Sequence, residues 1–231
     1  MSGTDTRATG GSSLARHPHE RGEDPGRGNR VRLVLAQLLC GVGIASGAAV
    51  GGVLAQHLSQ LMGVAGFAQT ASIVGAGVAA IPLARLASRR GRRWSLTAGF
   101  STAAIGAALI LLAVATVQFW LYLVAMVLFG AGSATNLQSR YAAVDYSRPG
   151  AEARSMAIVL WATTIGSIAG PNLSAPGARF GATLGIDPLG GPYAFALAGF
   201  VLAAAVVATL RPIGAWNAPR PALRRAQRNA R

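Results

Sequence analysis

Charge is scarce in this sequence of 231 residues, and most of the charge present has one sign. Only 12% of the residues are charged, and the 21 basic side chains, all of them arginine, outnumber the 7 acidic ones. Hydrophobic residues make up 52% of the chain, and glycine occupies 30 positions. Because a soluble domain carries about 25% charged residues, this composition favours a membrane protein.

Several absences exclude classes of chemistry. A single cysteine, Cys40, cannot form an internal disulfide. Without lysine there is no phosphate-binding loop of the P-loop type, so this chain does not drive transport with ATP. The apolar segments hold no nucleophile with a base and no metal-ligand cluster, so we expect neither an enzyme nor a cofactor or metal. They hold no carboxylate either, which weakens proton coupling through them.

Long apolar runs are the main feature of the sequence. A membrane helix needs about 20 apolar residues to cross the hydrocarbon core, and lipid-exposed backbone must satisfy its own hydrogen bonds. The pattern therefore predicts an all-α integral membrane bundle of six helices. Their predicted bounds are 33–56, 64–87, 95–116, 119–144, 155–175 and 193–210.

Arginine placement predicts the orientation of this bundle. Six arginines lie in or just after the N-terminal tail, five around residues 85–93, three around 140–154 and six after the last span, whereas only Arg179 falls on the other side. The positive-inside rule then places both termini in the cytoplasm of a multi-pass protein of the plasma (cytoplasmic) membrane. Topology also accounts for the net charge of +14, so we expect a lipid bilayer and no nucleic acid as partner.

Composition divides the chain into three parts. Residues 1–30 are rich in Gly, Ser, Pro and Arg and lack apolar periodicity, which predicts a disordered cytoplasmic tail. The six spans form one membrane domain over 31–212, and 213–231 form a basic cytoplasmic tail.

The segment between the second and third spans, 84–93, reads Ala-Arg-Leu-Ala-Ser-Arg-Arg-Gly-Arg-Arg. It resembles the signature of the major facilitator superfamily, Gly-x-Leu-x-Asp-Arg-x-Gly-Arg-Arg. The matching positions are Leu86, Arg89, Gly91, Arg92 and Arg93. The resemblance implies a cytoplasmic gate built here. Ala84 and Ser88 stand where the family has glycine and aspartate, so an ion pair made by that aspartate is absent.

A second resemblance lies in the fifth span. Gly166 and Gly170, followed by Pro171, are similar to the family's Gly-x-x-x-Gly-Pro element. Proline lacks the N–H that a helix needs and crowds the preceding turn, which predicts a bend. Glycines four residues apart let a neighbouring helix approach closely. The bend is either a hinge for rocking or a tolerated kink.

The loop between the fourth and fifth spans offers a weaker resemblance. The family often has an acid after helix 4 and a base before helix 5, and Asp145 and Arg154 stand at these positions. They are expected to form a solvated ion pair or a mechanistic one. The arginine that the family often has inside helix 4 is absent.

Uncharged polar side chains inside the spans are candidates for lining a solute path. Such groups face the interior of a bundle, where they bond another helix or a substrate. The candidates are Gln37, Gln69, Asn136, Thr163 and Asn172. Aromatic residues near span ends, Trp94, Trp120 and Tyr193, are expected to anchor helices at the membrane interface.

The resemblance covers about 31–212 and corresponds to the N-terminal six-helix half of a twelve-helix transporter. It implies secondary-active transport of a small molecule, as a permease or efflux protein, by alternating access. A second six-helix half is then the expected partner, either a second copy or a separate chain, unless the chain is a fragment. The alternative is a non-transporting membrane protein, a degenerate half that inserts and binds a partner.

Overall fold

The computed structural model describes residues 25–61, 63–145, 147, 150–183 and 185–210. Within these residues the chain forms seven α-helices and no strand. The helices are α1 (Pro25–Ser59), α2 (Ala65–Arg90), α3 (Arg92–Ala115), α4 (Phe119–Asp145), α5 (Glu152–Asn172), α6 (Ser174–Thr183) and α7 (Gly191–Ala208). The prediction of an all-α bundle is confirmed.

Helix length and hydropathy agree with a multi-pass membrane protein. Five helices, α1 to α4 and α7, are each long and apolar enough to span a bilayer. The pair α5 and α6 passes the same test only as one broken span, bent by 54°. The described residues therefore hold five or six candidate spans, close to the six that the sequence predicts.

The fifth predicted span, 155–175, differs most from the structure. Helix α5 ends at Asn172, one residue after Pro171, and a separate helix follows where the sequence predicts a loop. Proline is tolerated in the first turn of a helix, as Pro176 is in α6. Glycines let α6 lie against the start of α7, since a Cβ at Gly177 would come within 3.0 Å of the Pro192 nitrogen. Tertiary packing, not hydropathy, stabilises this short helix.

The predicted tails fall mostly outside the described residues. Helix α1 begins at Pro25, so the last residues of the tail predicted as disordered, 25–30, are helical. Proline at the first helical position costs no hydrogen bond and presets the helical φ angle. The remainder of that tail, 1–24, and the predicted C-terminal tail, 213–231, lie outside the described residues.

The core forms where α1, α4 and α7 meet. Phe129 packs edge-on against Tyr193 and Phe200, with ring centroids 5.7 and 5.3 Å away. Gly47 of α1 faces these rings, and an added Cβ would come within 3.0 Å of the Tyr193 ring. Glycines on α1 thus make room for the large aromatic side chains of its neighbours.

Helices α2 and α5 each leave one apolar face uncovered. Only 17% of the apolar window of α2 is buried, whereas 44–50% is buried in α1, α3, α4 and α7. The exposed side chains on α2 include Phe67, Val78 and Ile81. On α5, Trp161 is 68% exposed and Ile168 is 65% exposed.

Candidate functional site

The arginine-rich segment folds as the junction of two helices, not as an extended turn. Gly91 is the single residue between α2 and α3, and its φ of +89° lies in the region that favours glycine. Leu86 and Arg89 therefore belong to the last turns of α2, while Arg92 and Arg93 begin α3. We call this end of the bundle, formed by residues 85–93, the arginine end.

Asp145 binds an arginine of this junction. The Arg92 Nε donates to Asp145 Oδ2 at 2.8 Å, and the two side chains are 29% and 41% exposed. The pair expected from the sequence, Asp145 with Arg154, does not form, and Arg154 is exposed in the first turn of α5. Because α4 packs along α3, the last residue of α4 meets the first residue of α3.

The other side chains of the arginine end are largely open. The Ser88 hydroxyl, at the position where the family has aspartate, donates to the Arg85 carbonyl oxygen at 2.9 Å. Arg89 is exposed, and the Arg93 guanidinium lies 5.9 Å from the centre of the exposed Trp94 ring. No carboxylate is paired with either arginine among the described residues.

The two glycines predicted in the fifth span lie against α1 of the same bundle. A Cβ at Gly166 would come within 2.5 Å of the Leu38 carbonyl oxygen and 3.1 Å of the Gly41 Cα. A Cβ at Gly170 would overlap the Ala45 side chain. Pro171 is exposed, just before the bend between α5 and α6. This glycine face thus closes an internal seam between α1 and α5.

Three of the five candidate path residues meet between α1, α4 and α5. The Gln37 Nε2 donates to the Thr163 hydroxyl at 3.0 Å and to the Asn136 Oδ1. The Thr163 hydroxyl lies 3.4 Å from the same Asn136 oxygen. Gln37 is fully buried, Thr163 is buried and Asn136 is half-buried. We call these three residues the polar cluster.

One acceptor of the polar cluster is left without a partner. The Gln37 Oε1 is buried and accepts no hydrogen bond. Most buried polar atoms in proteins are paired, because an unpaired one costs free energy. The cluster can therefore accept one further hydrogen bond from a donor that enters it.

The other two candidate path residues do not join the cluster. Gln69 is exposed on α2, and Asn172 is exposed at the end of α5, where its Nδ2 donates to the Ile168 carbonyl oxygen at 2.7 Å. Hydropathy alone could not separate these two from the other three, because it does not show which face of a helix meets a neighbour.

A second buried polar group lies on the opposite side of α4. The Ser95 hydroxyl of α3 donates to the Leu83 carbonyl oxygen at 2.6 Å and lies 2.8 Å from Gln138 Oε1. These residues link α2, α3 and α4. The sequence does not indicate that Ser95 and Gln138 are in contact, because they lie in different spans.

Tyr193, which the sequence suggests as an interface anchor, packs inside the bundle. It is fully buried, and its hydroxyl donates to the Gly47 carbonyl oxygen at 3.0 Å. The Tyr122 hydroxyl donates to the Gly51 carbonyl oxygen at 2.7 Å. Because Gly47 and Gly51 have no side chains, the two phenol groups can reach the backbone of α1. Trp120, in contrast, is 78% exposed.

The end of the bundle opposite the arginine end carries one contact that the sequence does not indicate. The His57 Nε2 lies 3.2 Å from Asp187 Oδ2 and joins the end of α1 to the segment before α7. The described residues hold no group of three or more side chains suited to bind a metal.

Comparison with known proteins shows which family the chain resembles. The model of the Major Facilitator Superfamily matches residues 33–230. The chain is 34% identical over 179 residues to the uncharacterized MFS-type transporter YdeG of Bacillus subtilis, covering 77% of this chain and 42% of that protein. It is 33% identical over 181 residues to the uncharacterized MFS-type transporter YddS of the same organism, covering 78% and 42%. No solved structure matches.

Proposed function

Because the chain belongs to the major facilitator superfamily, we propose that it forms one six-helix half of a secondary-active transporter that moves a small molecule by alternating access. Both relatives are named as transporters, and the chain spans 42% of the length of each. The activity of the whole assembly therefore includes surfaces that another six-helix bundle supplies.

The polar cluster is the observation that carries this proposal. Each of its residues lies roughly 14–18 Å from the arginine end of its helix, at 1.5 Å per residue. Measured from the predicted spans, which exclude the arginines at the start of α1, the same residues lie about 6–12 Å inside the 30 Å hydrocarbon layer. The half-buried Asn136 and the unpaired Gln37 Oε1 can exchange hydrogen bonds with a solute at this depth. Transporters of this type bind their solutes near the bilayer midplane.

The uncovered faces of α2 and α5 support a second half as partner. Exposed apolar side chains on a membrane helix can simply face lipid. Here, however, both uncovered faces lie on helices that carry the family's motifs, which favours contact with a second bundle. A second copy of this chain and a separate six-helix chain both fit as the covering bundle.

The arginine end supports the proposed gate and orientation. Its arginines would lie at the cytoplasmic surface of the plasma membrane, with both termini on that side. The Arg92–Asp145 pair joins the start of α3 to the end of α4, beside the junction that carries Leu86, Arg89, Gly91 and Arg93. Ser88 removes the acid that the family places there, which favours the alternative of a non-transporting partner-binding protein.

Solute counterflow in vesicles containing the purified chain tests the proposal, since counterflow needs alternating access and no energy source. The panel is radiolabelled sugars, amino acids and organic acids, and assembly state is measured by light scattering corrected for detergent. We expect counterflow of at least one solute by a dimer. Replacing Gln37 with leucine should lower it about tenfold, the factor for a loss of 1.4 kcal/mol.

The matched control is Gln56→Leu, which makes the same change on the same helix at an exposed position outside the polar cluster. It should leave counterflow unchanged. Equal rates for Gln37→Leu and the wild type, at equal amounts of folded protein, would overturn the role of the cluster. A dimeric chain without counterflow of any solute in the panel would support the non-transporting alternative, whereas a monomer without counterflow would mean that a separate six-helix chain is needed.

A further inference from the structure

Arg140 lies five residues before the end of α4 and forms no hydrogen bond or ion pair within the described residues. It lies on α4, four residues after Asn136, and residues four apart share one face of a helix. The side chain is half-buried, and its Nε is buried without a hydrogen bond. A guanidinium group has five N–H donors and normally uses several of them.

The carboxylates of the described residues are engaged elsewhere. Asp145 binds Arg92, and Glu152 accepts from the Gly150 backbone N–H at 3.1 Å. Asp187 lies beside His57 at the opposite end of the bundle. In the part of the chain that the structure describes, Arg140 thus has no counter-ion. Only the Nε of Arg140 is buried without a partner, and the terminal nitrogens of the guanidinium are open to a ligand, so this position favours a negatively charged group.

The position of Arg140 on α4 relates it to the polar cluster. Residues four apart share one face of a helix, so Arg140 belongs to the face of α4 that carries Asn136. Asn136 in turn accepts a hydrogen bond from the Gln37 amide.

We infer that Arg140, with Asn136 one turn away, binds the anionic group of the solute, and that the solute is an organic anion bearing a carboxylate. This inference rests on the proposed function, since it names the substrate class of the same site. A planar guanidinium binds a carboxylate through two parallel hydrogen bonds. The Asn136 amide supplies a further donor, and the unpaired Gln37 Oε1 accepts from a hydroxyl or amine elsewhere on the solute.

The unfolding temperature of the full chain in detergent tests this inference without requiring transport. Cys40 is the single cysteine of the sequence and is fully buried, so its reaction with a fluorogenic maleimide reports unfolding. The probes are three acid–amide pairs of equal shape: acetate and acetamide, benzoate and benzamide, phenylacetate and phenylacetamide, all at constant ionic strength. We expect at least one acid to raise the midpoint by roughly 2–4 °C more than its amide.

Replacing Arg140 with glutamine should abolish the difference between acid and amide. Arg140→Lys keeps the charge and loses the bidentate geometry, so it should retain a smaller difference. The matched control is Arg154→Gln, which removes an exposed arginine of the same end and should retain the full difference.

Two results would overturn the inference. One is an equal midpoint shift for acid and amide in all three pairs with the wild-type chain, a result that needs no variant to fold. The other is an acid preference that persists in Arg140→Gln. A chain that binds an acid through Arg140 but shows no counterflow would keep this inference and contradict the proposed transport, so the two failures are distinguishable.

Discussion

Both sides of α4 carry buried polar groups, but the two sides differ in how fully these groups are paired. Toward α2 and α3, the Ser95 hydroxyl lies within 2.8 Å of two acceptors, one of them on Gln138, and the group is buried. Toward α1 and α5, Gln37 keeps an unpaired oxygen and Arg140 an unpaired nitrogen. Paired groups hold helices together, whereas an unpaired group keeps a hydrogen bond available for a further partner.

Backbone packing shows the same difference. On the α2 side, glycines let the helices touch, since a Cβ at Gly75 would overlap the Val127 carbonyl oxygen and a Cβ at Gly130 would overlap that of Ser72. On the other side, α4 reaches α1 through side chains, among them Phe129, Tyr122 and the half-buried Asn136. The side facing α2 is thus closed by direct backbone contact, whereas the side facing α1 is joined by side chains.

The largest loss of folded protein should come from a substitution that fills the contact between α2 and α4. The leucine side chain of Gly75→Leu would overlap the backbone of α4. Such overpacking lowers the free energy of unfolding by about 3 kcal/mol or more, so little folded protein should be recovered. Gly77→Leu is the matched control, because nothing lies within 4 Å of its Cβ position on the same helix. Recovery is measured as the monodisperse fraction in detergent, and equal recovery for the two variants would mean that α2 does not pack on α4 through Gly75.

A smaller effect should distinguish the two polar groups. Ser95→Ala leaves the buried Leu83 carbonyl and Gln138 amide without this partner, at a cost of about 1–3 kcal/mol in the free energy of unfolding. Gln37→Leu removes the two hydrogen bonds that Nε2 donates, but it also removes an oxygen that was unpaired, and Asn136 Oδ1 keeps the Thr163 hydroxyl as a donor. Its cost should therefore be smaller than that of Ser95→Ala. The measurement is the midpoint of Cys40 labelling on heating.

The comparison fails if Gln37→Leu destabilises the chain more than Ser95→Ala does. That order would mean that the polar cluster holds the bundle together as the closed side does. The exposed Ser88→Ala serves as the control for loss of a serine hydroxyl and should leave the midpoint unchanged.

The smallest effect belongs to the ion pair at the arginine end. Arg92 and Asp145 are both partly exposed, so their pair contributes less than about 1 kcal/mol, and salt weakens it. A double-mutant cycle of Arg92→Gln and Asp145→Asn at low and high salt measures the coupling. A coupling that high salt does not reduce would mean that water does not reach the pair.

Sequence reasoning predicted the long helices well and their contacts poorly. The bounds of α3 and α4 were predicted within three residues, because a membrane span must be long and apolar whatever it packs against. The partner of Asp145 was predicted wrongly, because Arg154 is near it in sequence while Arg92 is near it in space. Helix α6 was not predicted, because its sequence is rich in glycine and proline and it forms against α7.

The sequence by itself determined the family, the apolar spans and the break at Gly91, since each depends on local composition or on the conformation of one residue. Only the tertiary structure decided that Gln37, Asn136 and Thr163 meet, while Gln69 and Asn172 stay outside. The reason is that a side chain's partner depends on how its helix is rotated and which helix lies beside it. These are set by packing between segments far apart in the chain.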